Sequence, residues 1–169
     1  MPPHGFMREQ EIWYMPGTGD VPVTFTSKKD ISLSIIEIIK MARQDPSKLP
    51  PYFRIAGTNH TPKEIVDMFN KAAKGKTHLK LELLSDQQAD ELMKNLKWDF
   101  ASDQPNNYDL EYMNDVAGRV FRMSGGTGNL DFSDWNHNEL LNPGESKWKW
   151  KTMEEYAVEV GGMPGDWHN

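Results

Sequence analysis

The chain has 169 residues, no cysteine and a net charge of −6, with a pI near 5.4. That length fits one ordinary domain able to bury about 70% of its unfolded surface. The acidic balance argues against a surface that tracks nucleic-acid phosphates, and the missing thiols exclude disulfides, thiolate metal sites and a cysteine nucleophile.

Pro2, Pro3 and His4 stand where a signal peptide would carry a long apolar run. The most apolar window, Ile31 to Ala42, is broken by Glu37 and Lys40 and is too short to span a bilayer. A cytoplasmic protein without membrane contact is the expectation. Hydrophobic content of 37% with 26% charged residues is polar but not of the disordered type.

Glu11 to Met15 and Val21 to Thr26 flank Pro16-Gly17-Thr18-Gly19-Asp20. The second segment alternates, with Val21, Val23 and Phe25 on one face. Together they predict a hairpin closed by a glycine-rich turn. Pro22 lacks a donor, so its strand begins or edges a sheet.

Ser27 precedes Asp30 by three positions at the head of an apolar run, which predicts a capping box. The helix extends from about Lys28 to Arg43. Ile31, Ile35, Ile38, Ile39 and Ala42 share one face, widened by Leu33, Ile36 and Met41, so burial on more than one side is expected. Asp45-Pro46 ends it. Tyr52 to Ala56, between Pro50-Pro51 and Gly57, reads as a short strand.

Thr61-Pro62-Lys63-Glu64 joins a cap residue, proline at the first helical position and a returning glutamate. Ile65, Met68, Phe69 and Ala72 are its apolar stripe and Gly75 its stop. Leu79, Leu81 and Leu83 alternate with Lys80 and Glu82, as in a strand with one wet face. Ser85 and Gln88 cap a helix to about Leu96. Residues 103–107 read as a loop, with a hinge expected near 101–107. Tyr108 to Met123 follows as a helix with Leu110, Met113, Val116, Val120 and Phe121 inward. Residues 124–143 are rich in turn residues. Thr152 and Glu155 cap a last short helix that stops at Gly161-Gly162.

Chemistry-bearing patterns are few. Gly125-Gly126-Thr127-Gly128 follows a helical pattern and opens no amphipathic helix, so it reads as a helix stop rather than a phosphate loop. Gly17-Thr18-Gly19 joins two strands. The histidines, His4, His60, His78, His137 and His168, show no metal-ligand spacing, and no metal is expected. Asp30, Glu64 and Glu155 have capping roles. Glu91, Asp99, Asp103, Asp109 and Glu111 read as a solvated acidic region in which no pair stands out as acid and base. No G-x-S-x-G elbow is present. Six tryptophans and ten methionines suit either an irregular core or an adaptable apolar pocket.

One ordered set of segments carries a resemblance. Gly17-Thr18-Gly19-Asp20 is followed by Val23 to Ile31, then Asp45-Pro46, Tyr52 to Ala56, Pro62 to Ala73 and Leu79 to Leu92. This order resembles the C-terminal part of NmrA-like proteins, which group with isoflavone-reductase-like, atypical short-chain dehydrogenases. Lys151 to Tyr156 resembles that family's closing helix, and Gly5-Phe6-Met7 the segment entering its substrate cleft. The resemblance covers residues 5–97 and, more loosely, 147–157.

It implies an α/β fold, the closing portion of a Rossmann-type NAD(P)-binding fold, with few strands, packed helices and a helical appendage. One substrate-side domain would then occupy 1–169. Family members bind NAD(P) through an N-terminal glycine-rich loop, and their catalytic lysine, where there is one, also lies upstream. This chain has neither, so no cofactor is expected from it alone and no catalytic residue is assigned. The resemblance carries over a substrate-pocket role for Phe6 and Met7, and with them for the aromatics Trp98, Phe100 and Tyr112. It implies a reductase portion not competent by itself. The alternatives are a binding or regulatory module, acting on a protein partner or by homo-oligomerisation, and a cofactor-free isomerase or cyclase.

Overall fold

In the computed structural model, residues 6–94 and 124–164 are described. The chain is mixed α/β, with a small three-stranded sheet, a separate two-stranded ribbon and several helices. In order these are β1 (Phe6–Met7), β2 (Ile12–Pro16), β3 (Val23–Phe25), α1 (Lys28–Gln44), β4 (Thr58–His60), α2 (Pro62–Ala73), β5 (Lys80–Leu84), α3 (Asp86–Lys94), α4 (Asn138–Leu141) and α5 (Met153–Glu159). Among the described residues no helix is long and apolar enough to cross a membrane.

The larger sheet runs β1-β2-β5. β1 is antiparallel to β2, and β2 is parallel to β5 with Ile12 opposite Lys80 and Met15 opposite Leu83. A parallel pair demands a crossover, and the chain from Pro16 to Lys80 supplies it through β3, α1, β4 and α2.

This pairing replaces the expected hairpin. Both edges of β2 are occupied, by β1 and β5, so none remains for the strand after the glycine turn. β3 pairs instead with β4, antiparallel, with Val23 opposite His60. The turn itself is held elsewhere: the Lys63 N–H donates to Gly19 O at 3.3 Å, and Lys63 Nζ meets Asp20 at 2.7 Å. Gly17 and Gly19 take φ of +88° and +75°, the left-handed turn that glycine allows. The hydrogen bond from the Lys63 ammonium, and then its charge, lower the Asp20 pKa below the usual carboxylate range.

The segment Tyr52 to Ala56 is not a strand either. Its backbone is satisfied by the entry to α4. The Arg54 N–H donates to His137 Nδ1 at 3.0 Å and the His137 N–H to Arg54 O at 2.8 Å. The Asn138 side-chain amide bonds both the N–H and the carbonyl of Ala56. Side chains here do the work of a neighbouring strand.

The helix starts follow local chemistry. Thr61–Glu64 and Thr152–Glu155 are complete capping boxes at the heads of α2 and α5, and Ser85 exchanges bonds with Gln88 ahead of α3. At α1 the expected box is only half made. Ser27 Oγ accepts from the Asp30 N–H at 3.0 Å, but the Asp30 carboxylate does not return to the Ser27 N–H. Its Oδ2 accepts from Ser27 Oγ at 2.7 Å and from the Lys151 N–H at 3.0 Å. The carboxylate thus fastens the strand-like approach to α5 onto α1.

The core lies where β2, α2 and α5 meet. Trp13, Met15, Val23, Ile65, Phe69, Leu79, Met153 and Ala157 form it. α1 adds nothing apolar to it among the described residues. This corrects the expected burial of the isoleucine face. The seam that α1 buries runs through Asp30 and Ser34 to Glu37, i, i+4 and i+7 on one helix side. It faces the segment before α5, where Lys147 Nζ bonds Glu37 at 2.6 Å and Lys151 bonds Asp30. Those polar ties fix the helix's rotation. Ile31, Ile35 and Ile39 sit roughly a quarter-turn away and remain 40%, 49% and 49% exposed, with Ile36 exposed beside them.

Gly125 and Gly126 pack closely against β2. Residues 124–127 are helical. A Cβ on Gly126 would lie 2.7 Å from Pro16 O, so the close approach of this turn to the end of β2 needs glycine. Gly128, at φ +81°, ends the turn as a stop.

Candidate functional site

A cleft of about 560 Å³ opens between the start of α1, the start of α5 and the apolar side of α2. Pockets for small molecules fall in a range of roughly 300–1,000 Å³.

Its floor is aromatic and apolar. Phe6 comes from β1, Phe25 from β3, Ile65 and Phe69 from α2, and Met153 and Tyr156 from α5. These side chains converge because each element turns its apolar side to the same core. Phe6 stacks on buried Trp13 with ring centres 4.5 Å apart and planes 12° apart. Phe69 meets Phe6 at 6.4 Å, and Tyr156 edge-on at 6.0 Å. Rings so mutually packed are held in place, which makes the floor a preformed surface.

The mouth is cationic. Lys28 and Lys29 are the first two residues of α1, and Lys151 stands just before α5. Lys151 forms an ion pair with Glu159 and lies 5.8 Å from the centre of the Tyr156 ring. Lys28 and Lys29 are exposed. Among the described residues neither has a carboxylate partner.

Most other polar groups on the wall are already used. Thr26 Oγ1 donates to Ile55 O and accepts from the Gly57 N–H, both at 3.1 Å. Ser27 is spent on Asp30, and Thr152 on Glu155. Among the described residues of the wall, Glu159 is the carboxylate, and it is paired with Lys151. Among the described residues no group of three or more His, Asp or Glu side chains could hold a metal.

The residues singled out from the sequence fall in three places. Phe6 lines the cleft. Met7, its neighbour in β1, is not in the cleft wall, since successive strand residues point to opposite sides. Trp98, Phe100 and Tyr112 lie outside the described residues, as does the expected hinge at 101–107. Sequence reasoning missed Phe25, Phe69, Tyr156 and the lysines. One signal was available. Lys28-Lys29 is the chain's only adjacent basic pair outside the histidines, and it occupies a first helical turn, where the helix dipole disfavours cations.

No protein-family model, no curated protein and no solved structure matches the chain.

Proposed function

We propose that the chain is the substrate-side portion of an NmrA-like, Rossmann-type NAD(P)-dependent reductase, holding a small ligand in the cleft and not turning it over alone. The observation that carries the reading is the cleft itself, with Phe6 at its floor beside Phe69 and Tyr156. The parallel pairing of β2 with β5 across the α2 crossover also supports it, as the wiring expected of an α/β unit. A cytoplasmic setting goes with this reading.

No glycine-rich loop leaves a strand to open a helix among the described residues, so the expected result is cofactor independence. Incubated with NADPH and small aldehydes or ketones, the chain leaves the 340 nm absorbance unchanged. Calorimetry gives no heat of dinucleotide binding. Binding of NADPH or NADP at micromolar Kd would overturn the picture of a unit without a cofactor site.

A second reading is a binding or regulatory module working through a protein partner or self-association. The exposed isoleucines of α1 favour it. Burying what remains exposed of Ile31, Ile35, Ile36 and Ile39 would contribute roughly 3–5 kcal/mol to an interface, at about 1 kcal/mol each. Light scattering after size exclusion is then expected to show mass rising with concentration. An Ile35→Asp/Ile39→Asp variant stays monomeric. A wild-type chain that is monomeric throughout removes self-association.

A further inference from the structure

We propose that the cleft selects an anionic ligand with an apolar, aromatic-sized body: a carboxylate or a phosphate ester whose charge lies beside Lys28 and Lys29 while its body rests on Phe6, Phe25 and Phe69. The inference rests on the reading of this cleft as a ligand site and adds the chemistry of what enters it.

Charge is the first ground. The chain carries −6 overall, yet two exposed lysines with no carboxylate partner among the described residues line this cavity. No carboxylate forms an ion pair with either lysine among the described residues. Asp30, one residue on, is 1% exposed, and its Oδ2 is already bonded to Ser27 and the Lys151 N–H. Glu159 is held by Lys151.

Placement is the second ground. Lysines at the first and second positions of a helix oppose its dipole, whereas acidic residues there would favour it. Asp30 in the same turn meets part of that preference, and both lysines stand beside an apolar cavity. An anion beside them offsets both the lysines and the dipole. The ammonium groups, not helix N–H groups, are the recognising atoms.

The wall supplies the third. The hydroxyls of Thr26 and Ser27 donate within the protein, and the Thr152 oxygen accepts from the Glu155 N–H. Those two hydroxyl donors are thereby withdrawn from a neutral polar ligand. Discrimination therefore falls to an apolar floor, which fixes size, and a charged rim, which fixes sign.

The test uses three probes that share one body: 2-naphthoate, 2-naphthyl phosphate and the neutral 2-naphthamide. Each is titrated into the full chain by calorimetry at low salt, and its position is read from the methyl NMR signals of Ile65 and Met153 on the floor. The isoleucines of α1 provide the contrasting signals. Both anions are expected to bind with a Kd at least roughly tenfold below that of the amide, with the Ile65 and Met153 signals moving. A Lys28→Gln/Lys29→Gln variant, changed only at exposed positions, should weaken the anions about tenfold and leave the amide as before. Screening by salt should weaken only the anions.

Equal binding of all three probes at Ile65 and Met153 would overturn the anion assignment while the ligand cleft stood. Unchanged anion affinity in the double variant would do the same. No binding of any probe up to about 10 mM, or shifts confined to Ile31, Ile35 and Ile39, would overturn both.

Discussion

Gly162→Ala is expected to lower stability by about 3–4 kcal/mol, the sum of an overpacking term and a left-handed backbone term. Gly162 follows α5 with φ of +84°. A Cβ there would fall 2.3 Å from the Cα and N of Ala73, and 2.4 Å from its Cβ. Those atoms are the buried last turn of α2, not a side chain that could swing aside. The Gly162 N–H also donates to Ala157 O at 2.8 Å, which fixes the turn. The methyl can be admitted only by parting α5 from α2, across which much of the core is built. In urea the midpoint should fall by roughly 1–3 M. Gly75→Ala is the matched control. Gly75 has φ of +79° but nothing within 4 Å of the added carbon. Its loss, about 1 kcal/mol, measures backbone strain alone. Equal losses at the two sites would mean that the contact with Ala73 carries no cost.

Asp30→Ala is expected to cost about 2–3 kcal/mol, the range for removing a buried carboxylate that serves two part-buried donors. Asp30 is 1% exposed, and its removal leaves the Lys151 N–H and the Ser27 hydroxyl without their acceptor. Asp30→Asn retains one carbonyl oxygen and should lose roughly half as much. The two variants also differ in reach. Without the tie, Lys151 is no longer fastened to α1, and protease cleavage near residues 146–151 should speed up in the alanine variant. A stability loss below about 0.5 kcal/mol, ordinary for a surface site, would show that the tie between α1 and Lys151 is not formed.

What could be read from the sequence was local. The pairs Thr61 with Glu64, Thr152 with Glu155 and Ser85 with Gln88 lie three residues apart, and their chemistry closes within one helical turn. Helix starts were therefore legible. Partnerships across the chain were not. β2 and β3 looked like a hairpin because they are neighbours in sequence, but β5 took the edge of β2 that β3 would have needed. Tyr52 to Ala56 looked like a strand because it is short and apolar. Its partners, His137 and Asn138, lie more than 80 residues on. The isoleucine face of α1 matched a buried stripe by period. Period says which residues share a face but not which face is covered, and here Asp30 and Glu37 decided the rotation through Lys151 and Lys147.

The candidate site was legible at one residue. Phe6 stood out through a resemblance, and it lines the cleft. Phe25, Phe69 and Tyr156 carried only the signature of core aromatics, which they also are. The lysine doublet was visible, but its meaning depends on a cavity that no local pattern announces.

The bond from Lys151 to Asp30 has a consequence for the order of events during synthesis. Its ends are 121 residues apart, and Met153, Ala157 and Met163 complete the core begun by Trp13. An emerging chain holding β2, α1 and α2 has its caps and turns but lacks its closing wall. Trp13 and Phe69 then wait, uncovered, until the residues of α5 clear the ribosome. Long-range closure of this kind is slow compared with helix formation, so the nascent chain passes through a stage with sticky aromatic rings on view.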